Sequence, residues 1–333
     1  MLAAVKTTTY REINTQEWDM PKLEEGEVLI KVDYCGVCGS DLHAYNHASS
    51  YHFVDLPRVL GHEISGRVID VVDERDQQLL NKHVFVESIQ YCGNCSNCLE
   101  GKTNICLHFN VIGLHYDGGM AQYVKCKSHF VQEAPSNVDS SVLSLVEPMA
   151  IAIHAVETIS NVKKGHKVLV QGAGIIGFFV AITCKELGAE VVISGLQEDK
   201  DTRLFHTENF GITSYINSEL NTLSQDMDVV FECSGSTRAL VEGFSLLKKG
   251  GDAVWVALYE QDIELPLALI VRNEWTIYPS YGCVPTDYKR ALEIIEKYTN
   301  QLDSIVTYYP FEKAHLAFED ALKKKVLKPI LTF

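Results

Sequence analysis

The sequence predicts a mixed α/β chain in which a parallel, helix-covered sheet is set between two stretches of one β-rich domain. Three observations carry that reading. Up to residue 146 the strand-like segments alternate apolar and polar residues and turns follow at short intervals. From residue 147 the apolar segments run continuously and alternate with helical ones, the pattern of a parallel sheet covered on both faces. After residue 281 the texture changes again, to amphipathic helices and a closing strand. The domains so read are 1–146, 147–281 and a C-terminal return, 282–333, and the 333 residues suffice for both.

In the first stretch, "EVLIKVDY" (27–34), "SGRVIDVV" (65–72), "HVFVE" (83–87) and "GMAQYVK" (119–125) read as strands. In the second, "KVLVQ" (167–171), "EVVIS" (190–194), "DVVFECSG" (228–235), "GDAVWVALY" (251–259) and "EWTIYPS" (274–280) are strands, and "IIGFFVAITCKELG" (175–188) is a helix ended by Gly188. In the third, "DYKRALEIIEKY" (287–298) and "EKAHLAFEDALKKK" (312–325) are helices, and "VLKPILTF" is the closing strand. No internal repeat is visible.

Composition narrows the function. The net charge is −15, and the one basic block is Lys323-Lys324-Lys325, so nucleic acid and anionic membrane surfaces are poor partners. The N-terminus "MLAAVKTTTYREIN" lacks the apolar core of a signal peptide, and no run reaches the roughly 18 apolar residues of a membrane helix. The expected location is the cytoplasm, where thiols stay reduced.

That bears on "YCGNCSNCLEGKTNIC" (91–106), which spaces Cys92, Cys95, Cys98 and Cys106 as C-x2-C-x2-C-x7-C. Short loops of this kind let four thiolates meet one tetrahedral ion, and Gly93 and Gly101 loosen the backbone between them. A structural zinc accounts for all four; an iron–sulfur cluster and unliganded loop thiols are the alternatives.

"VQGAGIIG" places Gly172, Gly174 and Gly177 as G-x-G-x-x-G after a strand and at the head of a helix, the context a dinucleotide loop requires. Gly172 permits the turn, Gly174 lets the backbone approach a pyrophosphate, and Gly177 lets helix and strand pack. The alternative is a strand–helix turn that merely needs glycine. Contacts to the cofactor are expected from Gly172, Gly174, Ile175, Ile176 and Gly177, from Ser194, Gly195 and Arg203 after the second strand, and from Ser234. Where a carboxylate usually grips the adenosine ribose, the chain has Ser194-Gly195-Leu196, with Glu198, Asp199 and Asp201 following among Lys200 and Arg203. The reading favours NAD and leaves NADP open.

A second set of ligand types lies in "YCGVCGSDLH" (34–43), "LGHEISG" (60–66) and "VEPMAIAIHA" (146–155). Singly, a buried Cys packs as a small hydrophobe and a His-Glu pair is an ordinary polar pair. Together with the cysteine cluster, "GLHYDGGMAQYV" and "GAGIIG", in that order over nearly the whole chain, they resemble the zinc-dependent medium-chain dehydrogenases, in the polyol (sorbitol-type) and butanediol dehydrogenase branch.

The resemblance implies a Rossmann doubly wound parallel sheet inserted in a GroES-like β-rich catalytic domain. It implies two zinc ions per subunit, NAD as hydride acceptor, and a dimer or tetramer. Cys38 and His62 would bind the catalytic zinc. Glu63 is the third ligand of the sorbitol-type branch, and Glu147 stands where alcohol dehydrogenases place a cysteine. Three protein ligands at a time are expected, because a second carboxylate would leave the site anionic. Glu63 and Glu147 would then exchange between the ion and the layer behind it. Ser40 and His43 match the family's proton relay, and Asp41 is expected to brace nearby backbone; a surface histidine without a role is the alternative for His43. Cys35, three residues before Cys38, reads as a packed thiol.

The implied reaction passes hydride from the secondary alcohol of a small polar substrate to NAD(P). "YNHASSYHF" (45–53) suits the wall of such a pocket, and a polyol, sugar acid or vicinal diol fits it. Where sorbitol-type relatives have an Arg-Tyr pair, this chain has Gly282 and Cys283, a departure from a sorbitol-specific pocket. The rival readings are a threonine-type amino-alcohol dehydrogenase and a non-catalytic nucleotide-binding or redox-sensing protein.

Overall fold

A computed structural model describes residues 1–333. The chain divides into two compact units, Met1–Glu147 with Val284–Phe333, and Pro148–Cys283. These bounds fall one and two residues beyond those read from the sequence, and they put Glu147 in the same unit as Cys38 and His62. No helix is long and apolar enough to cross a membrane.

The first unit is organised on the strand Glu27–Gly36. That strand buries Glu27, Val28, Leu29 and Ile30, and alternates only from there, exposing Lys31 and burying Val32. It pairs antiparallel with Glu63–Val71, Tyr123–Lys127 and the closing strand Lys328–Thr332. The sheet continues through His83–Val86 to Val131–Glu133 on one side and through Val306–Pro310 on the other. A three-stranded sheet of Ile13–Glu17, Leu2–Lys6 and Arg58–Val59 joins the same core. The register sets Gly36 opposite Glu63 and Ile330 opposite Gly36, which brings the start of the last strand to the start of the Glu63 strand.

Several elements differ from the sequence reading. The strand expected over 119–125 is Tyr123–Lys127, because Gly118 and Gly119 press against Gly61: the amide of Gly119 donates to the carbonyl of Gly61 at 2.9 Å. The strand expected at 251–259 is Leu247–Trp255, and that expected at 65–72 begins at Glu63. The hairpin Leu2–Lys6/Ile13–Glu17 and the strands Thr213–Ile216 and Val306–Pro310 are not apparent in the sequence pattern.

The second unit is a six-stranded, wholly parallel sheet in the order Thr213–Ile216, Glu190–Gly195, Lys167–Gln171, Met227–Glu232, Leu247–Trp255, Thr276–Pro279. The order reverses between Lys167–Gln171 and Met227–Glu232, so the crevice for a ligand opens beyond the carboxyl ends of those two strands. The helices Ile175–Glu186 and Thr237–Leu246 are regular. The crossover between Glu190–Gly195 and Thr213–Ile216 contains only the 3₁₀ turns Gln197–Asp199 and Leu204–Phe210. Side chains there compete with a helix for the backbone: Thr202 donates to the carbonyl of Glu198 at 3.0 Å, and Thr207 to that of Leu204 at 2.6 Å.

Candidate metal centre and dinucleotide site

Cys38 caps the short helix Gly39–Tyr45, which follows the central strand. Asp41, buried completely, accepts the amide of Cys38 at 2.9 Å and the amide of Gly61 at 3.2 Å. One carboxylate thus ties the head of this helix to the turn that presents His62. Gly61 has φ +95°, and a Cβ there would lie 2.5 Å from the sulfur of Cys35, so the turn admits only glycine and Cys35 packs beneath it.

His62 is buried, with Nε2 3.2 Å from Ser40 Oγ. Its Nδ1 lies 3.8 Å from Asp41 Oδ1, too far for a hydrogen bond, and has no partner. Burial alone would lower the His62 pKa; the sulfur of Cys38 and the carboxylate of Asp41 outweigh it and push it well above the ordinary range. His43, in the last turn of the same helix, stacks on Tyr51 with ring centroids 5.1 Å apart.

The two acids expected to compete for an ion have different surroundings. Glu63 is fully buried, and its Oε2 forms an ion pair with Lys328, also fully buried. Lys328 donates to the carbonyl of Val37 at 3.0 Å as well. Gly36 makes room for the pair: a Cβ there would fall 1.9 Å from Glu63 Oε2. Glu63 Oε1 has no partner. Glu147, the second residue of the helix Val146–Ile153, accepts the hydroxyl of Ser88 at 2.7 Å, and the amide of Ser88 donates to the hydroxyl of Tyr288 at 2.9 Å. Burial holds the carboxyls of Glu147 and Asp41 above their ordinary range.

The four clustered cysteines converge. The sulfurs of Cys92, Cys95, Cys98 and Cys106 lie within 4.8 Å of one another, unlike the donors around His62. Gly93 and Gly101 take φ +73° and +79°, conformations that favour glycine. The amides of Cys92 and His108 both donate to Cys106 Sγ at 3.3 Å. The amide of Leu107 helps lower Cys95 to about 6, while burial and its sulfur neighbours push Cys98 up to about 12. Four thiols this close cannot all ionise unless a cation sits among them.

In the second unit Gly172 takes φ +110°, and a Cβ there would lie 2.8 Å from the amide nitrogen of Ser234. A Cβ on Gly177 would lie 2.0 Å from the carbonyl oxygen of Gly172, whereas one on Gly174 would meet nothing within 4 Å. The first two glycines are thus required by packing; the third faces open space, as a cradle for a phosphate should. Ile175 and Ile176 open the helix beneath it. The carbonyl of Ser194 accepts the amide of Gly172 at 2.8 Å, while Ser194 Oγ is buried without a partner. Arg203 Nη1 lies 3.5 Å from Asp199 Oδ1. Across the crevice, buried Glu232 accepts the amides of Ser234 at 2.8 Å and Gly235 at 3.2 Å, together with the hydroxyls of Ser234 and Tyr259.

Comparison with known proteins gives two family matches. Residues 24–136 match the alcohol dehydrogenase GroES-like domain, and residues 176–297 match the zinc-binding dehydrogenase family. A sorbitol dehydrogenase of Halalkalibacterium halodurans is 31% identical over 95% of this chain and 94% of its own length. The chain belongs to the zinc-dependent medium-chain dehydrogenases. The L-galactonate-5-dehydrogenase of Escherichia coli is 28% identical over 97% of this chain and 96% of its own. Among solved structures, the 2R,3R-butanediol dehydrogenase of Bacillus subtilis superposes with a TM-score of 0.88 at 26% identity, covering all of both chains.

As a medium-chain dehydrogenase the chain is an oxidoreductase, and its donors fit the ions of that family. Cys38, His62, Glu63 and Glu147 are the thiolate, imidazole and carboxylates that zinc prefers, and the buried negative groups call for a cation. The cysteine quartet is a closed tetrahedral set. The open cradle at Gly174 and the unpartnered Ser194 Oγ fit a dinucleotide. Lys328, Ser88, Tyr288, Glu232 and Tyr259 escaped the sequence reading. Lys328 alone left a signal there, a charge inside the apolar run "VLKPILTF".

Proposed function

We propose that the protein interconverts a secondary alcohol and a ketone on a small, polyhydroxylated substrate, a polyol, sugar acid or diol, with NAD as hydride carrier. The observation that carries this reading is the knot of half-buried Cys38 and Ser40 on buried Asp41 and His62, in which a hydroxyl stands 3.2 Å from the imidazole that would hold the ion. The substrates in the names of the relatives, sorbitol, L-galactonate and butanediol, support the same class.

In this reading Cys38, His62 and one carboxylate hold the catalytic zinc, and Cys92, Cys95, Cys98 and Cys106 hold the structural one. Because Lys328 engages Glu63, Glu147 is the carboxylate offered to the ion, and Glu63 stands behind it. When bound, zinc lowers the pKa of the substrate hydroxyl and the nicotinamide takes the hydride. Asp41 fixes the turn that aims His62. Ser40 Oγ accepts the hydroxyl proton and passes it outward. His43, three residues along the same helix and so on the same face, continues the path to water. Tyr51, stacked on His43, keeps that ring in place and walls the substrate side.

A homo-oligomer and a cytoplasmic location belong to the same proposal. The strand Thr276–Pro279 is a free sheet edge, and Leu267, Leu269 and Val271 of the preceding helix are exposed. No disulfide joins any of the ten cysteines, as expected of a reducing compartment.

The test is reduced-nicotinamide absorbance with polyols, sugar acids, vicinal diols and threonine. Turnover of a hydroxylated substrate without an amino group is expected, and Ser40→Ala should lower kcat by about 10²-fold or more with zinc content unchanged. Turnover of threonine alone would replace the substrate class, and full activity in Ser40→Ala would remove the relay.

A further inference from the structure

The first unit is made of two stretches of chain, and Ser88 joins the end of one to the beginning of the other. Glu147 is the last residue of Met1–Glu147, and Tyr288 lies in the first turn of the helix Pro285–Asp303, just after the chain returns at Val284. Both reach Ser88. Its hydroxyl donates to Glu147 Oε1 at 2.7 Å, and its amide donates to the hydroxyl of Tyr288 at 2.9 Å. The hydroxyl oxygens of Ser88 and Tyr288 are themselves 3.2 Å apart. Ser88 follows the strand His83–Val86, and its carbonyl accepts the amide of Ile112 at 3.2 Å, so its backbone is held on both sides. The ring of Tyr288 stacks on Phe85 with centroids 6.2 Å apart.

The protons of this network have one consistent arrangement. An ionised carboxylate only accepts, so the Ser88 hydroxyl gives its proton to Glu147. Ser88 Oγ then takes a proton from Tyr288, whose oxygen takes the amide of Ser88. Amide, phenol and hydroxyl thus donate in line toward one carboxylate oxygen, and such a chain strengthens each of its bonds. Ser88 is 1% exposed and Tyr288 3%, so water does not compete for them. The helix Val146–Ile153 does not by itself fix Glu147 against Cys38 and His62, because it passes into the second unit after Glu147. Burial is the largest single effect on the titration of both Glu147 and His62, and each also feels the other's charge, so the two lie within electrostatic reach. Ser88 holds Oε1 of that carboxylate and leaves Oε2 outside the chain of donors.

We infer that Ser88 and Tyr288 are positioning residues of the candidate metal centre: they hold Oε1 of Glu147 and so present Oε2 to the ion that Cys38 and His62 would bind. The inference rests on the proposal above that Glu147 meets the ion, and adds what orients it. A carboxylate already held in one rotamer loses little side-chain freedom when an ion arrives. The partners also sort the two acids by charge. A hydroxyl donates without carrying charge, so Glu147 keeps its negative charge for the ion. Lys328 is a cation, and it neutralises Glu63 at the oxygen it engages.

Metal affinity tests this without turnover. The full chain is titrated with zinc against a chromophoric chelator, and the site in question is the one missing in Cys38→Ala. At that site Ser88→Ala should weaken zinc by about 10–100-fold, and Tyr288→Phe, which keeps the ring on Phe85, by a smaller factor in the same direction. Glu147→Gln should weaken it at least as much as Ser88→Ala. Adding Ser88→Ala to Glu147→Gln should cost nothing further, because Ser88 acts only through Glu147. Tyr288→Phe in the same cycle keeps the test open should Ser88→Ala fold poorly. Losses that add in the double variants would overturn the inference and make Ser88 and Tyr288 scaffold residues, and so would wild-type affinity in Ser88→Ala. Wild-type affinity in Glu147→Gln would instead remove Glu147 from the ion, and the inference would fall with that assignment, an outcome told apart by which variant binds normally.

Discussion

Lys328 shows how one buried charge organises a site that it does not enter. Its pair with Glu63 has no exposure on either side, so removing the lysine leaves a carboxylate in the core with nothing to answer it. Lys328→Met should lower unfolding free energy by about 3–5 kcal/mol in urea titrations, and Glu63→Gln combined with it should recover much of that. Burial lowers the lysine pKa, but the neighbouring Glu63 outweighs it and raises the group above 10.5. A raised base contributes fully below its unfolded value, so the wild-type advantage should stay flat from neutral pH to that value and fade only above it. Glu87 runs the other way. Burial pushes its carboxyl up to about 7 against an ordinary 4.5, with Gln132 donating to it at 2.7 Å. The folded state holds a proton there that the unfolded chain has lost, so stability falls as pH rises from 4.5 to 7 and then levels. Glu87→Gln should gain on the order of 2 to 3 kcal/mol at pH 8, shrinking as the pH is lowered, as read by denaturant melts; an equal gain at pH 5 and pH 8 would show the cause to be packing.

At the scale of elements, the three loop glycines separate folding from binding. In Gly177→Ala the added methyl meets backbone, the Gly172 carbonyl, which cannot rotate away. A loss of about 1–3 kcal/mol in thermal or urea melts, with weakened NADH binding, is expected. In Gly174→Ala the φ of −76° suits alanine and the methyl meets open space, so melting should change by less than about 0.5 kcal/mol while NADH affinity drops. Unchanged affinity in Gly174→Ala would mean the cradle is not where the pyrophosphate lies. The same contrast explains what the sequence could reveal. The strands that announce themselves are continuously apolar, as at Lys167–Gln171, or alternate over part of their length, as at Glu27–Gly36. Thr213–Ile216 and Ile13–Glu17 carry mostly half-buried or exposed residues and leave no periodic trace. Site residues were legible where chemistry forces a spacing, as in the cysteine cluster. Partners set by long-range register, such as Lys328 against Glu63 or Tyr288 beside Ser88, have no local signature.

At the scale of the whole molecule, the two ion sites proposed on one unit draw on separate donors and stand in different relation to the fold. The knot at His62 is already held by Asp41, Ser40 and backbone amides, so its frame does not depend on the ion. The loop from Cys92 to Cys106 has only the short helix Ser96–Leu99 and a single 3₁₀ turn of its own, and Leu99 and Leu107 are exposed. Its shape depends on sulfurs that repel one another once ionised, so an ion bound there would supply folding energy. Elemental analysis should find about two zinc atoms per wild-type chain and about one in each of Cys38→Ala and Cys95→Ala. Cys38→Ala should melt near the wild-type temperature and lack turnover. Cys95→Ala should melt lower and become sensitive to protease within the loop, and mild chelation of the wild type should reproduce whichever loss belongs to the more weakly held ion. If both variants lost stability alike, the ion at His62 would be part of the scaffold, and the assignment of one ion to chemistry and one to structure would fail.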